Sequence, residues 1–233
     1  MHEYELQAEI ERVFRMHDAV PAYGSIVGAG ANACVLHYVA NNAPVQDGDL
    51  VLVDAGAEYR GYAADITRTF PASGRFSKEQ RALHDLVGAA QAAALDVARP
   101  GIPYEAGHVA AVETLTEGLL RLGLLKGTLE KNVADGSYRR FYRHKTGHWL
   151  GLDVHDVGEY RIDGESRLLE PGMVFTIEPG LYVSPDDKSV HARWRGIGIR
   201  TEDDVLITED GHQVLTAALA RSADEIEEEM ASR

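Results

Sequence analysis

The sequence predicts one α+β domain in which helices cover one face of a curved, largely antiparallel sheet. Three observations predict it: an amphipathic stripe at the start of the chain, a long alanine-rich segment with a helix-start signature, and short β-rich runs broken by Gly and Asn. At 233 residues, 45% hydrophobic and 26% charged, the chain has the length and balance of a globular domain with its own core. No internal repeat, low-complexity tract or Pro/Ser-rich linker divides it, so residues 1–233 read as a single domain.

The elements follow in order. Leu6, Ile10, Val13 and Phe14 stand at offsets of 4, 7 and 8, the apolar stripe of a helix that opens the chain. From 25 to 70 the pattern changes to short β-rich runs, clearest at 50–54 and 65–70. Ser77 followed by Gln80 is a capping-box pattern, and the helix behind it should run to about 99, where Pro100-Gly101 stops it. A second helix is expected from about 103 to 123. Beyond 144, Gly-rich turns separate strands at 173–178, 197–203 and 205–208, with an Asp210-Gly211 turn next and a short acidic helix at the end.

Composition excludes several classes of function. There are 23 Lys and Arg against 37 Asp and Glu, a net charge of -14, which argues against binding nucleic acid or an anionic membrane surface. Cys34 is the single cysteine, so no internal disulfide framework exists, and neither a signal peptide nor a span of about 18–20 apolar residues is legible. A reducing, cytoplasmic setting is the expectation.

The chemistry is carried by four segments. With a turn at 59–61, Asp54 and Asp65 are symmetric about a point between 59 and 60 and should face each other across a hairpin, where two like charges are destabilising unless a cation intervenes. His144, His148 and His155 fall within twelve residues interrupted by Gly147 and Gly151. His144 and His148 have the spacing of a helical zinc pair, but Lys145 stands where that motif requires Glu and the glycines weaken a helix. Glu178 ends an apolar strand at Pro179, which cannot donate to a sheet ladder, so its carboxylate belongs at a sheet rim. Period-2 alternation puts Arg200 and Glu202 on one strand face and Ile199 and Thr201 on the other.

These residues, in the strings VDAGAEYRGYAADITRTF, HWLGLDVHDVG, TIEPG and GIGIRTEDD, resemble the catalytic pita-bread domain of the aminopeptidase P family, the Xaa-Pro aminopeptidases of metallopeptidase family M24. The resemblance extends from about His2 to the final helix. It implies a pita-bread fold and release of the N-terminal residue from peptides with proline second. It implies two divalent ions, manganese first with cobalt or zinc as alternatives, held by Asp54, Asp65, His148, Glu178 and Glu202, with Asp65 and Glu202 bridging. Four carboxylates and one imidazole suit such hard or borderline ions. By the same resemblance Glu178 accepts a proton from water, His155 and His37 contact the substrate, and His144 and Arg200 orient substrate or ligands.

The chain departs from the pattern in two places. Family members carry an N-terminal domain that is expected to be missing here, which bears on the homo-oligomer the resemblance implies. Lys145 also stands where a small residue is usual. The rival readings are prolidase, methionine aminopeptidase and a non-catalytic peptide-binding module.

Overall fold

A computed structural model of the chain describes residues 1–232. The chain begins with α1 (Glu3–Met16), β1 (Val20–Pro21) and β2 (Ile26–Ala29), followed by β3 (Leu50–Asp54), β4 (Ala57–Tyr59), β5 (Tyr62–Ala63) and β6 (Thr67–Pro71). The helices α2 (Lys78–Val97), α3 (Glu105–Arg121) and α4 (Leu129–Ala134) come next. The second half holds β7 (Arg161–Ile162), β8 (Glu165–Ser166), β9 (Val174–Ile177), β10 (Gly180–Val183), β11 (Ile197–Arg200), β12 (Asp203–Ile207), β13 (His212–Val214) and α5 (Ala223–Ala231). Every strand pairing among the described residues is antiparallel. The α+β expectation holds.

The helix signals act as anticipated. The Ser77 side chain accepts from the Gln80 amide and Gln80 reaches back to the Ser77 amide, satisfying donors that the first turn of α2 leaves open. Leu83, Leu86, Val87, Ala90 and Ala94 then fall on one buried face of α2, against Ala111, Val112, Leu115 and Leu119 of α3 and the apolar side of the sheets. Each fully buried Leu contributes about 1.5–3 kcal/mol. On α1, Leu6, Ile10 and Phe14 are partly buried, whereas Val13, at the edge of the stripe, stays 45% exposed. No helix among the described residues is long and apolar enough to cross a membrane.

Two sheet details differ from the sequence expectation. The turn sits at Arg60 and Gly61, both with positive φ (53° and 86°), and the register pairs Asp54 with Thr67 rather than Asp65. The offset is two residues, which in a structure of period two leaves both aspartates on the same face. The strand expected over 197–203 is two strands. Arg200 closes the ladder with Gly180, after which the Thr201 amide donates to Pro179 and the Glu202 amide donates to Thr67, so the chain changes neighbours before β12 starts. That change turns Glu202 toward β6.

A candidate metal centre

Three partnered segments bring the acidic residues together. Asp54 ends β3, and Asp65 precedes β6 with its amide donating to Asp204 Oδ2 (3.2 Å). Residues 146–150 run beside β9: Thr176 donates to His148 O (2.9 Å) and Glu178 to Thr146 O (2.7 Å), which places the His148 ring next to the Glu178 carboxylate. Gly147 is required at this approach, because a Cβ there would lie 1.9 Å from the Thr176 carbonyl oxygen.

The side chains share a cavity of about 540 Å³ that Asp54, Asp65, His148, Glu178, Arg200 and Glu202 all line. Donor atoms of Asp65, His148 and Glu202 lie within 4.8 Å of one another. His148 Nε2 is 3.3 Å from Asp65 Oδ2 and 3.5 Å from Glu178 Oε1. Asp54 joins through Tyr23, whose hydroxyl is 2.5 Å from a carboxylate oxygen of both Asp54 and Asp65. Glu202 is 1% exposed and accepts from Thr67 Oγ1 at 2.6 Å. Asp65, His148 and Glu202 thus form the tight group, with Glu178 beside His148 and Asp54 joined through Tyr23.

The protonation chemistry suits a cation. Burial raises the Asp54 carboxyl against the pull of Arg200, raises Glu202 well above the carboxylate range, and pushes Glu178 up to about 7 despite Arg200 and His148. Burial also opposes charge on His148, but the Asp65 hydrogen bond and the Glu178 charge more than offset it, and its pKa stands at about 8. Crowded carboxylates that hold protons above their usual range are a group that a divalent ion would discharge, releasing those protons. His148 is also poised as a ligand: its Nδ1 lies 3.0 Å from the Trp149 carbonyl and must donate there, leaving Nε2 free to face the acids.

The remaining expected residues form a shell around this cluster. His144 Nδ1 donates to Lys145 O (2.7 Å), so Nε2 accepts from the Tyr182 hydroxyl (2.8 Å), which accepts in turn from Arg200 Nη1 (3.0 Å). Burial, followed by the Arg200 charge, depresses His144 to about 3, consistent with a neutral ring in that chain. Arg200 Nη2 completes the run at Asp54 Oδ2 (2.5 Å). Burial at 4% exposure opposes its charge, but Tyr182 and the carboxylates of Asp54, Glu202 and Glu178 more than offset it and raise its pKa well above the usual guanidinium value. His155 packs its ring edge against His148 (centroids 4.3 Å) with its pKa lowered by burial and then by the His148 charge, and His37 stands exposed in the cavity wall. Tyr23, Thr67 and Tyr182 hold ligands or their supports and were not singled out by sequence. Tyr182 lies four residues after Glu178 and Thr67 two after Asp65, so period 2 offered a signal for both; Tyr23 offered none.

The family model for metallopeptidase family M24 matches residues 1–209. The chain belongs to that family. Over 228 residues it is 50% identical to the Xaa-Pro aminopeptidase of Escherichia coli (strain K12), covering 97% of this chain and 51% of the relative. Over 226 residues it is 48% identical to the Xaa-Pro aminopeptidase of Haemophilus influenzae, with 97% and 52% covered. The structure of aminopeptidase PepP from Pseudomonas aeruginosa superposes with a TM-score of 0.99 at 55% identity, covering all of this chain and 53% of that one. An Escherichia coli aminopeptidase P variant in complex with substrate gives 0.96 at 48%, with 100% and 52% covered. The chain thus spans about half the length of the curated relatives it matches, and its fold is the pita-bread fold of the M24 family.

Proposed function

We propose that this chain is the catalytic part of an Xaa-Pro aminopeptidase, using two divalent ions, manganese first, held by Asp54, Asp65, His148, Glu178 and Glu202. The observation that carries the reading is that all five side chains line a single cavity, with ligand atoms of Asp65, His148 and Glu202 within 4.8 Å of one another, on a chain half identical to proteins of that name. A Zn-substituted aminopeptidase P from Escherichia coli, solved with product, shares 49% identity and supports a divalent centre. The net charge of -14 argues against a nucleic-acid partner, and the composition suits a cytoplasmic setting.

Bound divalent ions would supply a water acidified toward neutral pH, a polarised scissile carbonyl and an anchor for the free α-amino group. The chain's own residues do the rest. Glu178, largely buried and facing His148 and His144, takes the proton of the attacking water at a carboxylate oxygen. His155 and His37, in the cavity wall, donate to the substrate carbonyl as negative charge develops on its oxygen. Arg200 fixes Asp54 and, through Tyr182, the neutral His144, so the ligands are held in place before substrate arrives.

With manganese, purified protein is expected to cleave a tripeptide bearing proline second at least about tenfold faster than the matching Xaa-Pro dipeptide or a Met-Ala peptide. Chelation should abolish that turnover and manganese restore it. Preference for the dipeptide would make the protein a prolidase, preference for the Met-Ala peptide a methionine aminopeptidase, and binding without cleavage of any of the three a peptide-binding module.

A further inference from the structure

We propose that Lys145 forms a subsite for the C-terminal carboxylate of a short peptide, so that a free-acid tripeptide or tetrapeptide is preferred over its amide; the proposal rests on the peptidase reading above. Lys145 lines the same cavity as Glu178 and His148, and its side chain is 72% exposed. It meets Glu105 of α3, as does Arg161 of β7. The two contacts are unequal. Arg161 Nη2 hydrogen-bonds Glu105 Oε2 at 2.6 Å, while Lys145 Nζ stands 3.8 Å from Oε1, beyond hydrogen-bonding distance. Arg161 is thus the closer neutralising partner of the one carboxylate, and the ammonium of Lys145 is the surplus charge of the trio.

The cavity therefore carries charges of both signs. Asp54, Asp65, Glu178 and Glu202 line it together with the excess cation of Lys145, so an extended peptide whose amino end lies at the acidic cluster is favoured with its carboxylate at Lys145. The lengths agree. A chain advances about 3.3–3.6 Å per residue, which puts the terminal carboxylate of a tripeptide about 7 Å beyond the scissile carbonyl and that of a tetrapeptide about 10 Å. Lys145 directly follows His144, whose Nδ1 is 3.7 Å from Glu178 Oε2. The charge is felt inside the cavity as well: His108, one turn into α3, is depressed to about 4 by burial first and by Lys145 second.

The test compares kcat/KM for a free-acid Xaa-Pro-Ala tripeptide with that for its C-terminal amide at low ionic strength. The unmodified protein should prefer the acid about threefold, in KM rather than kcat, with the preference shrinking as salt rises. Lys145→Ala should bring the ratio to about one, Lys145→Glu should invert it, and Glu105→Gln, which releases both cations, should raise it. Equal cleavage of acid and amide by the unmodified protein, or a ratio that Lys145→Glu leaves unmoved, would overturn the subsite alone. Cleavage of neither peptide would overturn the peptidase reading and the subsite with it.

Discussion

Glu178→Ala is expected to lower kcat on an Xaa-Pro tripeptide by about 10³-fold or more while the protein remains folded. The side chain is placed to take a proton and to ligate, whereas its backbone amide, which bonds Thr146 O at 2.7 Å, is untouched by the change. The carboxylate makes one longer hydrogen bond, from Thr176 Oγ1 at 3.3 Å, faces His148 Nε2 at 3.5 Å, and adds to the crowding of Asp54, Asp65 and Glu202. Removing it relieves repulsion at the cost of a small void, so thermal denaturation followed by circular dichroism should move by only a few degrees. Glu178→Gln keeps the shape and cannot accept the proton. If it retained more than about a tenth of the activity, Glu178 would not be the proton acceptor.

The largest effect on stability is expected at Glu3, far from the acidic cluster. Its side chain is buried at 0% exposure and both oxygens are saturated: Oε1 accepts from Ala29 N (2.8 Å) and Asn32 Nδ2 (2.9 Å), and Oε2 from Ala43 N (2.8 Å) and Tyr38 Oη (2.9 Å). One carboxylate therefore ties α1 to the two ends of the segment that carries His37. Glu3→Ala strands the amides of Ala29 and Ala43 and takes one acceptor each from Asn32 and Tyr38, and should cost about 3–5 kcal/mol of unfolding free energy in a urea titration. A loss below about 1 kcal/mol would mean that water replaces the carboxylate and that the segment is held by its other contacts.

Much of this architecture can be read from residue patterns, and the failures have physical causes. The caps and periodicities of α1, α2, α3 and α5 are local signals, and all four helices lie where they point. Strand register is a long-range property: Asp54 and Asp65 were placed on the right face but two residues out of opposition, because the turn centres on Arg60 and Gly61. The break at Thr201 and Glu202 has no local signature, since it arises from exchanging Pro179 for Thr67 as hydrogen-bond partner. Glu3 could have been noticed. It lies 3 and 7 residues before Leu6 and Ile10, on the inward stripe of α1, where a carboxylate demands partners. Tyr23, which touches both aspartates, sits in an irregular segment with no period to betray it.

The ligand set itself is tested most directly by anomalous diffraction from crystals of the manganese-loaded protein, measured at the manganese absorption edge. Two peaks are predicted among Asp54, Asp65, His148, Glu178 and Glu202, with Asp65 and Glu202 contacting both. Manganese bound elsewhere, or no manganese among these five side chains, would contradict the assignment.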